Sequence, residues 1–460
     1  MNTPFQQNQN IQRVVAAFPD ARGVYVVGGA VRDFLMGYPY KDIDLLVEGL
    51  TSDRVAEGLR GICAEVDEVG RSFGVFKAKF TDGEVLDIAL PRTERSTGAG
   101  HKDFAVVTDT SLTVADDLQR RDFTINAIAI NVRTGEVVCP PSGPPGAMVD
   151  INNRILCAVG DPNERFSEDP LRILRGLRFM ARYPLLYEYK TWEAMRQNAH
   201  LLRTVSPERI GEELMKLLDG RGCASVISIA DSIFCEVIPE WKESVGFEQN
   251  NPHHYATVDT HVLDALDYVR EAGGSPRARL AVLLHDIAKP ATYKERVPGR
   301  GSFHGHEDVG ADMAASILRR LRFPEVEVKA VSTIIREHLR PPLDPSDKAL
   351  RNYVAALGPY LEDALMVKYG DLAAHNLPPG FDPKKWHAEI LQRCRALAHL
   401  SGFNQKSLAL DGDIIRKTFG VDGSKIGEYK KRASQAVIDG VVPNERNALL
   451  NYLIGVSPNA

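Results

Sequence analysis

A chain of 460 residues with 44% hydrophobic and 25% charged residues has the make-up of a globular protein, and it is too long for one core, so three or four domains are expected. The formal charge of −5 excludes a protein that coats nucleic acid over its whole surface, while leaving room for a local basic face. No apolar run reaches membrane-spanning length, and six scattered cysteines with no Cys-x-x-Cys pair fit free thiols in a reducing, cytoplasmic compartment rather than a zinc module.

The polar start Met1–Asn8 is no signal peptide and reads as a short disordered lead. Residues 10–20 read as a short amphipathic helix. Val24-Tyr25-Val26-Val27 is then a β-branched strand, followed by Gly28-Gly29 and a short helix carrying Arg32. Glycines let the backbone turn sharply and approach a ligand where a Cβ would collide. The helix behind them directs free N–H groups at the same place, a seat for phosphate to which Arg32 adds a forked donor.

The next strand carries Asp42 and Asp44, two residues apart and so on one face, with Ile43, Leu45 and Val47 on the buried face. Two adjacent carboxylates repel unless a cation joins them, and a pair of divalent ions held this way serves phosphoryl or nucleotidyl transfer. On a blander view they are two solvated aspartates after a turn.

Residues 51–62 read as a helix, and 75–80 with 84–90 as a hairpin turning at Thr81-Asp82-Gly83. Asp87 shares its strand face with Val85 and Ala89, and is either a third metal ligand or a salt-bridged edge acid. Residues 91–105 lack periodicity and read as a mobile loop near the phosphates. Arg120-Arg121-Asp122-Phe123-Thr124-Ile125-Asn126-Ala127 leads into the apolar run 128–130, and the proline-rich stretch 140–146 ends the first domain.

From residue 165 the pattern is helical. Asp169 suits an N-cap and Pro170 the first helical position. Arg172, Arg175, Arg178 and Arg182 fall within one third of the helix circumference, and Leu171, Ile173, Leu174 and Leu177 supply the buried side. Four arginines without matching acids suggest phosphates nearby; a salt-bridged face is the alternative.

Gly-Gly-Ala-Val-Arg-Asp, Asp42-Ile43-Asp44, the 120–127 run and Glu168-Asp169-Pro170-Leu171-Arg172 together resemble the class II tRNA nucleotidyltransferases, the bacterial CCA-adding enzymes, with the poly(A) polymerases as close relatives. The resemblance covers residues 24–245. It implies an α+β chain: a polymerase-β-like nucleotidyltransferase head (a mixed sheet with helices, 1–150), then an all-α neck that reads the base (151–250). By that likeness Asp42 and Asp44 hold Mg²⁺, Gly28, Gly29 and Arg32 face the triphosphate, and Arg121, Asp122 and Asn126 lie at the incoming nucleotide. Asp169, Arg172 and Arg175 would read the base, with CTP, ATP and tRNA as partners.

The chemistry of the bases points the same way. Cytosine and adenine share an amino donor beside a ring-nitrogen acceptor, so a carboxylate with a guanidinium one turn on answers both; uracil and guanine oppose both. Asp169 cannot fully serve as cap and reader with the same lone pairs.

Residues 251–375 hold His253, His254, His261, His285, His304, His306, His338 and His375. The order His261, His285-Asp286, His306, His338 and Asp371 resembles the signature of HD-domain metal-dependent phosphohydrolases. That likeness implies an HD-type helical domain (251–375) with Asp286 as the bridging ligand and His306 preferred over His304. Imidazole with carboxylate suits Ni, Mn, Co or Fe, and an open position would activate water for hydrolysis of phosphate ends such as a 2′,3′-cyclic phosphate; an inactive structural domain is the rival.

The tail (376–460) carries 12 Lys or Arg against 8 Asp or Glu and is expected to be helical, with Lys430-Lys431-Arg432 either tracking tRNA phosphates or simply solvated. The reading is therefore CCA addition and repair, against a poly(A) polymerase or a partial CC- or A-adding enzyme. From another class comes an HD phosphohydrolase with a nucleotide-sensing head. No membrane partner is expected.

Overall fold

Residues 3–70, 74–96, 104–140, 146–250, 256–297, 300–400 and 408–455 are described in a computed structural model of the chain. They divide into one unit of residues 1–222 with 232–237 and a second of 223–231 with 238–460.

In the first unit Pro4–Gln7 form a 3-10 turn, and Phe5 is buried against Phe34 and Tyr40 with ring centroids 5.4 and 5.1 Å apart. The polar start thus carries structure where a disordered lead was expected, because one aromatic side chain with a pocket to fill outweighs its polar neighbours. Helix α1 (Gln9–Ala17) is capped by Asn8, which accepts from the Ile11 N–H, and buries Ile11 and Val14. Strand β1 (Gly23–Val27), helix α2 (Gly29–Met36), strand β2 (Asp44–Glu48) and helix α3 (Ser52–Arg60) follow.

Strands β3 (Glu65–Gly70), β4 (Val75–Lys79) and β5 (Val85–Ala89) join β8 (Ala129–Asn131) and β9 (Val137–Val138) in a seven-stranded mixed sheet of order β3-β4-β5-β2-β1-β8-β9. Within it β2 runs parallel to β5, and the other pairs are antiparallel. The β4–β5 hairpin turns at Gly83, whose φ of +91° glycine adopts without strain. Strand β2 lies at the centre, so Leu46 and Glu48 are buried along with Leu45 and Val47, and the one-sided burial expected of it does not hold.

Two expectations change here. Asp42 precedes β2 rather than lying on it. Residues 92–96 (β6) and 104–108 (β7) pair as a separate antiparallel ribbon, where a loop was expected; the intervening 97–103 lie outside the described residues.

Helix α4 (Val114–Gln119) begins with a Thr113–Asp116 capping box and leads to a 3-10 turn at Thr124–Asn126. The chain then becomes helical: α5 (Ala147–Asn152), α6 (Pro162–Glu168), α7 (Leu171–Arg182), α8 (Tyr189–Gln197) and α9 (Pro207–Leu218), with a short parallel pair β10 (Ile155–Leu156) and β11 (Leu186–Tyr187). Phe123 packs between Phe166 and Phe179, and a Cβ at Gly176 would come within 2.9 Å of its ring. Glycine there lets α7 close on the 120–127 segment.

After α10 (Cys223–Ile229) and α11 (Asp231–Val237), the second unit runs through α12 (Val258–Glu271), α13 (Pro276–Leu284), the single turn α14 (Lys289–Thr292) and the small hairpin β12–β13 (294–297 and 300–302). Helices α15 (His306–Arg320), α16 (Glu325–Glu337), α17 (Asp347–Leu357) and α18 (Leu361–Ala373) complete the body. The run 280–284 is wholly buried, which matches its unbroken apolar sequence. Beyond α19 (Pro383–Leu400), helices α20 (Gly412–Phe419), α21 (Ser424–Ile438) and α22 (Arg446–Gly455) share a core built on Ile415, Ala433, Leu449 and Leu453. Among the described residues no helix is long and apolar enough to cross a membrane.

Candidate functional site

The parallel register of β2 and β5 sets Asp44 directly opposite Asp87, while Asp44 pairs with Val27 at the end of β1. Like charges opposed across a sheet destabilise it. Burial, with Asp87 and Asp42 beside it, raises the Asp44 carboxyl to about 6 against the pull of Arg121. Asp87 Oδ1 is buried with no hydrogen-bond partner. Asp42 stays exposed just before the strand, close enough for its charge to act on Asp44. Hard oxygen donors, a buried orphan oxygen and mutual repulsion fit a divalent cation.

Gly28 supports this corner. Its φ is +72° and ψ −131°, and an added Cβ would lie 3.0 Å from Arg121 Nη1 and 3.4 Å from Asp44 Oδ2. Gly29 is different: it is helical, and a Cβ there would meet only ordinary contact at 3.6 Å. Both line a cleft of about 480 Å³ with Asp44, Asp122, Asn126, Asp169 and a set of arginines that includes Arg32, Arg121, Arg172 and Arg175. Asp42 and Asp87 do not line that cleft.

Arg32 is buried and already engaged. It donates to Asp33 (2.9 Å), Asn126 Oδ1 (2.7 Å) and Tyr183 (2.8 Å), and Tyr183 in turn donates to Asp33. Asn126 donates to Asp122 Oδ1 at 3.0 Å, and Asp122 Oδ2 accepts from Arg175 at 2.8 Å. Burial would raise Asp122, but Arg175, Asn126 and the Phe123 N–H outweigh it and hold the carboxyl below its ordinary value. Asp117, absent from the sequence expectations, is fully buried and accepts from both Arg120 and Arg121. The i,i+3 and i,i+4 spacing on α4 was the signal for it.

Asp169 Oδ1 accepts the Leu171 N–H at 3.2 Å, as a cap does, and Oδ2 accepts from Arg209 at 2.9 Å. Both of its oxygens are thus engaged, and α7 takes Pro170 as its N-cap, with Asp169 closing α6, where Asp169 was expected as the cap and Pro170 as the first helical residue. Arg172 donates to Glu168 (3.0 Å) and to the Arg120 carbonyl (2.9 Å). The expectation of arginines without acids is overturned: Arg172 meets Glu168, Arg175 meets Asp122, Arg178 meets Glu213 and Arg182 lies 4.0 Å from Asp33.

In the second unit His261, His285, Asp286, His306, His338 and Asp371 are all buried and converge. Asp286 Oδ2 lies 3.2 Å from His285 and 3.4 Å from His261, while Oδ1 lies 3.3 Å from His306 and 3.9 Å from His338. One carboxylate therefore stands between two groups of imidazoles. His304 is exposed, whereas His306 joins the cluster; His253 and His254 lie outside the described residues. His285, His306 and His338 use Nδ1 on the carbonyls of Val282, Phe303 and Ile335, which leaves Nε2 toward the centre.

Without a metal the electrostatics are lopsided. Burial lowers His285, but Asp286 and Asp371 carry it up to about 10, and burial with His285 beside it takes His338 down to about 3. Burial would raise Asp286, yet His285 and Lys289 hold it far below its ordinary value. His285 Nε2 and both Asp286 oxygens lack hydrogen bonds of good geometry despite these short approaches. A mixed imidazole and carboxylate set with orphaned buried atoms fits a transition metal. Sequence reading missed His375, which groups with His261 and Asp371, and the buried Lys289 and Lys368; their i+4, i+3 and i−3 spacing from the acids was the available signal.

Residues 24–157 match the family described as Poly A polymerase head domain, 188–231 the probable RNA and SrmB-binding site of polymerase A, and 258–365 the HD domain. A multifunctional CCA protein of Acinetobacter baumannii is 35% identical over 327 residues, 69% of this chain and 74% of that protein. One from Methylobacillus flagellatus is 35% identical over 68% of this chain and 73% of its own length. In fold the chain is similar to the CCA-adding enzyme of Bacillus stearothermophilus solved with CTP (TM-score 0.71, 22% identity, 99% and 98% of the two chains). It is also similar to the Thermotoga maritima CCA-adding enzyme solved with tRNA (TM-score 0.56, 19% identity, 97% and 94%). The chain belongs to the multifunctional CCA protein family, the bacterial CCA-adding enzymes that carry an HD domain.

Proposed function

We propose that the protein adds and repairs the 3′ CCA end of tRNA from CTP and ATP without a nucleic-acid template, in the cytoplasm. The observation that carries this reading is the Asp44–Asp87 pair with its orphaned buried oxygen, beside an arginine-lined cleft that also holds Asp169 and Arg172. Asp42 and Asp44, with Asp87, would hold Mg²⁺, and a pair of such ions lowers the pKa of the tRNA 3′-hydroxyl and steadies the leaving pyrophosphate. Gly28 keeps the backbone clear of Arg121 so that the guanidinium can reach the nucleotide, and Gly29 begins the helix facing the phosphates. Arg32, through Asn126 and Tyr183, fixes the position of the 122–126 segment as well as facing the cleft.

Asp169 and Arg172 act as the template. The carboxylate accepts from the amino group of cytosine or adenine, and the guanidinium donates to the ring nitrogen. Arg175, held by Asp122, stands one turn further along. The test is primer extension on tRNA lacking CCA, each nucleotide supplied separately. Two C additions followed by one A are expected; long runs of A would establish a poly(A) polymerase instead, and C alone or A alone a partial enzyme.

The second unit supports a second activity, carried by the convergence of four buried imidazoles and two buried carboxylates, where His285 and Asp286 lack hydrogen bonds of good geometry. His261, His285, Asp286, His306, His338 and Asp371 would hold Ni, Mn, Co or Fe, and water activated there would open phosphate ends such as a 2′,3′-cyclic phosphate. Chelation followed by return of each metal in turn should restore hydrolysis with one or more of them. Asp286→Ala should lose that activity and keep nucleotide addition. Hydrolysis that survives Asp286→Ala would refute the assignment.

A further inference from the structure

The cluster in the second unit faces a cavity of about 550 Å³ lined in part by two lysines, and both are more than nine-tenths buried: Lys289 is 4% exposed and Lys368 is 7% exposed. A buried ammonium loses its hydration and needs compensating partners. Lys289 has them. Its Nζ lies 2.7 Å from Asp286 Oδ2, donates to Gln249 Oε1 at 2.9 Å and sits 5.5 Å from the Phe303 ring centre.

Lys368 is compensated less well. Its Nζ donates to Asp371 Oδ2 at 3.2 Å, and an ammonium has three hydrogens to give. Asp371 is itself shared, with Oδ1 3.2 Å from His261 Nε2, 3.3 Å from His375 Nδ1 and 3.7 Å from His285 Nε2. A carboxylate divided in this way neutralises Lys368 only in part, and less again when it serves as a metal ligand. Lys368, Asp371 and His375 follow one another at i, i+3 and i+7, so the ammonium stands on the same side of α18 as the ligand, on the cavity wall.

We propose that Lys368 is a substrate-binding residue of this site, donating to a non-bridging oxygen of a phosphate ester seated against the cluster. The inference rests on the reading of the second unit as a phosphohydrolase. A phosphate entering the cavity brings negative charge into a poorly hydrated space, where a cation already stripped of water and fixed in place stabilises it strongly. The competing role is that of a counter-ion that only steadies Asp371.

The two roles separate in the full-length holoenzyme. Metal content is measured for the parent, Lys368→Met and Lys368→Arg, and each is titrated with inorganic phosphate by calorimetry and assayed on bis(p-nitrophenyl) phosphate. Lys368→Met is expected to keep the parent's metal content, to bind inorganic phosphate about 10- to 100-fold more weakly and to raise KM, with Lys368→Arg recovering most of the loss. Unchanged phosphate affinity in a metal-replete Lys368→Met overturns the proposal alone. Loss of metal in Lys368→Met also overturns it, in favour of the counter-ion. A metal-loaded parent that neither binds phosphate nor cleaves the ester overturns the hydrolase reading and this inference with it.

Discussion

Replacing Asp44 with asparagine should stabilise the metal-free protein and remove its response to divalent ions. Burial, Asp87 and Asp42 together hold the Asp44 carboxyl at about 6 instead of the ordinary 3.8, against the pull of Arg121. A raised carboxyl pKa means that the folded state holds the proton more tightly than the unfolded chain. The resulting penalty is absent below pH 3.8, grows up to about pH 6 and is complete above it. At 1.36 kcal/mol per pH unit, keeping Asp44 ionised at pH 7.5 costs about 3 kcal/mol. Asparagine keeps the shape and drops the charge. In EDTA at pH 7.5 the Asp44→Asn protein should therefore unfold about 6–12 °C above the parent, given 2–4 °C per kcal/mol for a unit of this size, the attraction to Arg121 being already counted in the net pKa. At pH 4 the two should nearly coincide. Added Mg²⁺ should raise the parent's transition by ligand linkage and leave the variant's where it is. The assay is a thermal scan of both proteins, with and without Mg²⁺, at the two pH values. A variant that melts below the parent in EDTA at pH 7.5, or gains as much from Mg²⁺, would show that Asp44 is a structural acid.

Gly28→Ala forces a non-glycine residue into a φ of +72° and sets its Cβ 3.0 Å from Arg121 Nη1, so about 1–3 kcal/mol of stability should be lost and KM should rise for both nucleotides, measured by denaturant unfolding and nucleotide titration. Asp122→Asn removes the partner of Arg175; breaking a fully buried pair costs about 3–5 kcal/mol, and since the Arg175 side chain is 38% exposed, about 2 kcal/mol is expected in the same unfolding assay. Asp169→Asn keeps an acceptor for the Leu171 N–H but replaces the oxygen that accepts from Arg209 with an amide donor, so the preference for CTP over UTP should fall at least about tenfold in single-nucleotide extension; an unchanged preference would leave Asp169 a structural residue alone.

Where one strand or one helical turn carried the information, the sequence was enough. The alternation of Val85 through Leu90 placed Asp87 on the less buried face of β5, whereas its position opposite Asp44 comes from the β2–β5 pairing. The six candidate ligands of the second unit were picked out by their resemblance to the HD signature, and the fold buries all six and brings them together. Ribbon β6–β7 was not legible: Arg92-Thr93-Glu94-Arg95-Ser96 has no apolar alternation, so its pairing leaves no periodic trace. Nor were the partners of Arg175 and Arg178 on α7. Asp122 and Glu213 lie 53 and 35 residues from Arg175 and Arg178, and only the fold brings those acids to that face. The start of β2 was misjudged for a similar reason, since alternation cannot tell where pairing to β1 begins, and the register ends at Asp44 opposite Val27.

Those long-range acids alter the physical account of the cleft. Each arginine lining it has a carboxylate within 4.0 Å: Asp33 for Arg32 and Arg182, Asp117 for Arg120 and Arg121, Glu168 for Arg172, Asp122 for Arg175 and Glu213 for Arg178. Seven arginines share five carboxylates, so much of their charge is offset before any substrate arrives, and the guanidiniums are already oriented by the acids that hold them. A nucleoside triphosphate together with a pair of divalent ions also brings little net charge, so the loaded cleft stays near balance. Binding then depends less on bulk attraction than on the donors that each fork has left over. Preorganisation of this kind is what templating by protein requires: a guanidinium free to swing would accept any base, whereas one tied to Glu168 and the Arg120 carbonyl offers its remaining hydrogens in a fixed direction.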